Sequence, residues 1–132
     1  MPARFKKTAS AVRRPRVLVV EDESMRPLKL EEELDRCGYS IVGPFYSVVR
    51  ALGGVPDAEI DLAVLDVNVQ DALIFPLVDE LAEQGVPFVF LVDPASRILL
   101  EQYREQPALT KPFDAAALLR LLGGIVPPGR AH

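Results

Sequence analysis

The sequence predicts an α/β domain: a parallel five-stranded sheet with helices on both faces. Two observations carry that expectation. Short apolar, β-branched runs recur along the chain, and stretches whose apolar residues repeat near the helical period fall between them. Strand then helix thus occurs five times, the order of a doubly wound parallel sheet, in which a crossover helix returns the chain to the same edge.

Arg16 to Val20 (RVLVV) is the first strand, unbroken by polar residues as in a strand buried on both faces. Met25, Leu28, Leu30, Leu34 and Cys37 then recur at helical spacing, with Glu31, Glu32, Glu33 and Asp35 on the wet side and Gly38 as a stop. Cys37 accordingly reads as an inert core position. Tyr39 to Val42 is a weaker strand closed by Gly43 and Pro44, and Ser47 to Leu52 a short helix ended by Gly53 and Gly54. Leu62 to Leu65 and Val86 to Val92 are the third and fourth strands. Between them Ile74, Leu77, Val78, Leu81 and Ala82 run as a helix to Gly85. Ser96 to Tyr103 is a short helix, and Ala108 to Thr110 the fifth strand. Leu118, Leu121, Leu122 and Ile125 form the last helix, with Asp114 as its N-cap. Ser24 and Asp71 read as loop or cap residues of the same kind.

The 132 residues, 49% apolar and 26% charged, are enough for one core and leave little room for a second. Residues 1–16 hold six of the fifteen Lys and Arg and none of the nineteen acids, so the remainder has nine basic residues and a net charge of −10. Residues 1–14 read as a solvated basic arm, 15–125 as the domain, and 126–132 as a short frayed tail. An acidic body repels phosphate backbones, which argues against nucleic acid as a partner. The longest apolar run, Val86 to Val92, is too short to cross a bilayer, and the basic first residues lack the apolar stretch of a secretory signal, so export is not expected. With a single cysteine, a cytoplasmic location is expected.

The third informative feature is what ends the strands. The first stops at Glu21, Asp22 and Glu23, the third at Asp66, the fourth at Asp93 and the fifth at Lys111. In an open parallel sheet these carboxyl ends share one rim, where ligands bind. Crowded carboxylates disfavour one another's ionisation, and a divalent cation relieves the crowding. Mg²⁺ suits such hard oxygen ligands, whereas zinc and copper lack a nearby imidazole or second thiol. His132, the only histidine, stands at the end of the sequence and belongs to no triad. Acids rather than glycines in the first turn argue against a dinucleotide or P-loop site.

These residues resemble the receiver domains of two-component response regulators. Val17 to Glu23 (VLVVEDE), Leu62 to Asn68 (LAVLDVN) and Thr110 to Phe113 (TKPF) carry the likeness, with Asp66 44 residues beyond Asp22 and Lys111 45 beyond Asp66. The resemblance implies a flavodoxin-like (βα)5 fold with strand order 2-1-3-4-5. It implies that Asp66 accepts phosphate from a sensor histidine kinase or phosphotransfer protein, and that Lys111 contacts the phosphoryl group. Mg²⁺ would be held by Asp22, Asp66 and the backbone carbonyl of Asn68, with Glu21 acting through water. It also implies a cis peptide between Lys111 and Pro112, and partner or homodimer contacts over Ser96 to Arg104 and Ala108 to Leu122. One or two of Ile98, Leu99 and Leu100 are expected to face such a partner.

Three positions depart from the family pattern. Val92 stands where a switch Thr or Ser is usual, Asp93 where a small residue is usual, and Ala108 where an aromatic is usual. The first reading is therefore a single-domain receiver that signals by protein contact. The second is a degenerate receiver acting independently of phosphorylation. A third, a haloacid-dehalogenase-like phosphatase, is faintly suggested by Leu65 to Val69 (LDVNV), but Asn68 stands where the second acid is needed and cannot serve as a general acid.

Overall fold

The computed structural model describes residues 13–55 and 58–129. Five strands, β1 (Arg16–Val20), β2 (Ser40–Phe45), β3 (Leu62–Asp66), β4 (Phe88–Val92) and β5 (Ala108–Thr110), form one parallel sheet in the order β2-β1-β3-β4-β5. Among the described residues four α-helices accompany them: α1 (Leu30–Arg36), α2 (Val48–Gly54), α3 (Phe75–Glu83) and α4 (Ala115–Ile125). Two 3₁₀ helices, Glu23–Leu28 and Pro94–Tyr103, are the remaining elements among the described residues. The α/β class and the strand order are those expected.

The continuous apolar strands serve two cores at once. Leu18, Val20, Ala63, Leu65, Phe90 and Val92 point to the side covered by α2 and α3. Val17, Val19, Leu62, Val64, Val89 and Leu91 point to the side covered by α1 and α4. Because side chains alternate along a strand, a sheet covered on both sides must be apolar at every position. β1, β3 and β4 are buried in this way apart from Arg16 at the start of β1.

Several local expectations are corrected. The single helix expected from Met25 to Cys37 is split. Pro27 lacks the N–H that an α-helix needs, so the segment tightens into 3₁₀ geometry, and Lys29 at φ 51° redirects the chain into α1. Met25, Leu30 and Leu34 still reach the core, but Cys37 caps the end of α1 and is exposed, not core. Tyr39 fills the core beyond the turn, and its hydroxyl donates to the Val126 carbonyl at 2.8 Å. Strand β2 does not close at Gly43 and Pro44 but continues to Phe45. Its pairing with β1 slips between Leu18 and Val20, so one extra β2 residue is taken up in a bulge, and Gly43 adopts φ 108° there. An edge strand tolerates the missing proline donor. Gly53 and Gly54 lie within α2.

Of the arm expected over residues 1–14, only Arg13 and Arg14 fall among the described residues. Arg13 pairs with Asp61 at 3.4 Å and Arg14 with Asp35 at 2.9 Å. Of the tail expected from 126, Val126 is held by Tyr39, and the Gly129 N–H donates to the Gly38 carbonyl at 3.1 Å. His132 lies outside the described residues. Among the described residues, no helix is long and apolar enough to cross a membrane.

Candidate functional site

Register brings the charged strand ends together. Val20 pairs with Leu65, Asp66 with Leu91 and Val92 with Thr110, so the residues that follow β1, β4 and β5 emerge beside the end of β3. Asp66, the last residue of β3, is fully buried. Its Oδ1 accepts from the Asn68 N–H at 2.9 Å, and its Oδ2 from the Asp22 N–H at 3.1 Å and from Lys111 Nζ at 2.8 Å. Lys111 Nζ also lies 3.5 Å from Asp22 Oδ2 and 3.9 Å from Asp93 Oδ1. The Lys111 backbone N–H donates to the Val92 carbonyl, which fixes the start of the turn, and the Lys111–Pro112 peptide is cis. Asp22, Asp66, Asp93 and Lys111 thus converge.

Burial raises the Asp66 carboxyl above its ordinary range, against the opposing pull of Lys111 and of the Asn68 and Asp22 N–H groups. Burial alone would lower Lys111, but its hydrogen bond to Asp66 and the charges of Asp66, Asp22 and Asp93 outweigh it, so Lys111 is raised and stays an ammonium. Glu21 is also fully buried, and neither of its carboxylate oxygens has a hydrogen-bond partner. It is pushed up to about 7, first by burial and then by the charges of Glu31, Asp66 and Asp22.

This donor set fits Mg²⁺. Among the described residues no three His, Cys, Asp or Glu side chains converge into a ready metal cage. Mg²⁺ needs only one or two carboxylates, because it keeps several waters. Asp22 and Asp66 would supply the carboxylates, and the Glu21 oxygens, buried and without a hydrogen-bond partner, are acceptors suited to a charged centre.

The capping roles expected of Asp71 and Asp114 are found, and at Ser24 the cap is the nearby Asp22. Asp22, not Ser24, caps the Glu23–Leu28 helix, receiving both the Ser24 N–H at 3.0 Å and the Ser24 hydroxyl. Asp71 reaches across to α2, accepting from the Val48 N–H at 2.8 Å, the Val49 N–H at 3.2 Å and the Ser47 hydroxyl at 2.9 Å. These bonds, led by the one from Val48, hold its carboxyl below the usual range. Asp114 caps α4 as expected, through the Ala117 N–H.

Asn68 was expected to act through its backbone carbonyl; the role of its side chain and that of Ser96 were not foreseen. The Asn68 carboxamide accepts from the Asp93 N–H at 3.0 Å through Oδ1 and donates to Ser96 Oγ at 3.0 Å through Nδ2. No spacing in the chain signals a partner 28 residues away in the Pro94–Tyr103 helix. Val92 is fully buried and, as expected, presents no hydroxyl. Ala108 packs into a cluster where Tyr103 stacks on Phe75 with ring centres 5.5 Å apart and meets Phe90 edge-on. Of the three consecutive apolar residues, Leu100 is buried, while Ile98 (73%) and Leu99 (46%) are exposed.

A parallel sheet in this order, with acids and a lysine gathered at its carboxyl rim, defines a doubly wound α/β domain with a charged site at that rim. SdrG from Sphingomonas melonis Fr1 is 32% identical, the match covering 89% of this chain and 98% of that one with a TM-score of 0.74. The non-phosphorylated HemR receiver domain from Leptospira biflexa is 25% identical, over 89% of this chain and 98% of that one, with a TM-score of 0.71. The response regulator protein TrrA from Thermotoga maritima, in complex with Mg²⁺ and BeF, is 23% identical over 85% of this chain and 99% of that one, with a TM-score of 0.72. No protein-family model matches the chain, and no curated protein matches it. The chain belongs to the response regulator receiver domains, the signalling modules of two-component systems.

Proposed function

We propose that this receiver accepts a phosphoryl group on Asp66 from the phosphohistidine of a sensor histidine kinase or phosphotransfer protein, and signals by protein contact. An Asp66 carboxylate oxygen attacks phosphorus. The O–P bond forms as the P–N bond to the imidazole breaks, and the imidazole leaves with the electron pair and takes up a proton. The observation that carries this reading is Lys111 Nζ at 2.8 Å from the buried Asp66 carboxylate, where a fixed positive charge meets the charge developing on the transferring oxygens. The Asp22 and Asn68 N–H groups orient the same carboxylate. Mg²⁺ would be held by Asp22, Asp66 and the Asn68 backbone carbonyl, with Glu21 acting through water. When bound it neutralises charge on the phosphoryl oxygens.

The test is intact-mass measurement after incubation with Mg²⁺ and acetyl phosphate. A phosphoryl adduct on the wild type that is lost in Asp66→Asn supports the reading. No adduct, under conditions that label an ordinary receiver, refutes it. The second reading, a receiver that works without phosphate, is favoured by two features: the apolar Val92 and the Asp93 carboxylate 3.9 Å from Lys111. The phosphatase reading lacks a general acid, and the Asn68 amide is already committed to Asp93 and Ser96. The face formed by the Pro94–Tyr103 helix, β5 and α4, with Ile98 and Leu99 exposed, is the proposed surface for a downstream partner or a second copy.

A further inference from the structure

We propose that the Asn68 side chain is the switch of this chain, a latch that ties the start of the Pro94–Tyr103 helix to the acceptor loop and opens when Asp66 is phosphorylated. The proposal rests on the acceptor reading above. Val92 offers no hydroxyl at the end of β4, so a signal from Asp66 must leave by another polar route. Asn68 is that route. Its backbone N–H reads the Asp66 carboxylate at 2.9 Å, while its side chain holds the Asp93 N–H and the Ser96 hydroxyl, each at 3.0 Å. One residue therefore touches the acceptor on one side and the helix on the other.

The helix is anchored unevenly. Its second half is fixed by buried Leu100 and by Tyr103 against Phe75 and Phe90. Its first half is held to the rest of the domain by the latch and by the exposed Arg97 to Thr110 hydrogen bond. Loss of the latch thus loosens Pro94 to Leu99, the part that carries exposed Ile98 and Leu99, and leaves the second half docked.

The trigger is electrostatic. Phosphorylation moves negative charge outward from the Asp66 carboxylate, toward the rim where Asp93 lies. Lys111 Nζ, 3.9 Å from Asp93 Oδ1, is drawn to the phosphoryl oxygens, and Asp93 loses its counter-charge as a like charge arrives. Asp93 is also the residue whose N–H closes the latch, so its displacement breaks that hydrogen bond.

Amide hydrogen exchange, followed residue by residue on the full chain, tests this. Acetyl phosphate with Mg²⁺ supplies the phosphoryl group: the Asp66 O–P bond forms, the P–O bond to acetate breaks, and acetate leaves with the electron pair. Intact mass reports the adduct. On phosphorylation the amides from Asp93 to Leu99 should exchange up to about tenfold faster, the scale set by losing one or two hydrogen bonds, with the Tyr103 end unchanged. Unphosphorylated Asn68→Ala should already show that acceleration, and Ser96→Ala, which removes one of the two bonds, a smaller one. Ser96→Ala carries the comparison if Asn68→Ala does not fold. An adduct with unchanged exchange at 93–99 overturns the latch alone, as does an unphosphorylated Asn68→Ala indistinguishable from wild type. Absence of any adduct on the wild type overturns the acceptor reading and the latch together.

Discussion

Replacing Glu21 by Gln should stabilise the metal-free protein at alkaline pH and do little at acid pH. Glu21 is fully buried with two unpartnered oxygens, and its folded carboxyl titrates at about 7 against an ordinary 4.5. The folded state therefore binds the proton more tightly than the unfolded state. Between those two values the folded protein holds a proton that the unfolded chain has released, so stability falls as pH rises through the window, and the full cost is felt above about 7. At about 1.4 kcal/mol per pH unit, the gap corresponds to roughly 3 kcal/mol. Gln keeps the shape and removes the charge, so it escapes that cost. The assay is urea unfolding of wild type and Glu21→Gln in chelator at about pH 5 and about pH 9, with matched m-values confirming a change in stability alone. The variant should gain up to roughly 3 kcal/mol on the wild type at the alkaline point relative to the acid one. If the two proteins keep the same pH dependence, Glu21 is not an uncompensated buried carboxylate, and the reasoning from its orphaned oxygens fails.

Four further outcomes follow from the same geometry. Lys111→Met leaves the buried Asp66 carboxylate without its ammonium partner and should cost about 3–5 kcal/mol near neutral pH, read by urea unfolding, a loss that the double variant with Asp66→Asn largely recovers. Val92→Thr places a hydroxyl in a fully buried apolar position and should destabilise the unphosphorylated protein by about 1–3 kcal/mol; a neutral result in a thermal melt would mean that a partner for the hydroxyl already exists. Asp93→Ala removes a half-exposed carboxylate near Lys111 and should speed acetyl phosphate labelling about fivefold at low salt and less at high salt, an effect measured by timed intact mass. Asp71→Ala should lower the melting temperature by uncapping α2. Because the Asp71 carboxyl is held below its ordinary range, its contribution is complete above that range and disappears as pH falls through the lowered value, so wild type and variant should converge in acid.

The strands were legible because burial on both faces leaves no room for polar alternation, and β1, β3 and β4 announce themselves as unbroken apolar runs. What misled was periodicity that tertiary packing overrode. Met25 and Leu34 do share a core, but Pro27 breaks the helix between them, and the chain turn at Lys29 rotates Cys37 outward. Gly43 and Pro44 read as a strand end because their local meaning is a turn, whereas a bulged edge strand accommodates both. At the site, Asp22, Asp66, Asp93 and Lys111 could be placed on one rim from parallel register alone. The reach of Asp71 to α2 and the Asn68 tie to Ser96 depend on loop paths that no pattern of residue types encodes.

The rim is electrostatically unbalanced, and that imbalance would make it responsive. Among the described residues, Lys111 faces Asp22, Asp66 and Asp93, and the buried Glu21 carboxylate next in the chain to Asp22 has no hydrogen-bond partner. A site meant only for stability would pair its buried charges or replace them with apolar side chains, since an unpaired buried carboxylate costs several kcal/mol by order of magnitude. Leaving Glu21 unpaired and spreading one ammonium over three carboxylates creates a place where any change in local charge redistributes Lys111. Asp93 sharpens that property. A small residue there would leave Lys111 committed to the acceptor side, whereas Asp93 competes for it from the residue whose backbone N–H is held by Asn68. The departures at Val92 and Asp93 thus act together: one removes the hydroxyl route out of the site, and the other ties the charge of the site to the backbone that begins the Pro94–Tyr103 helix.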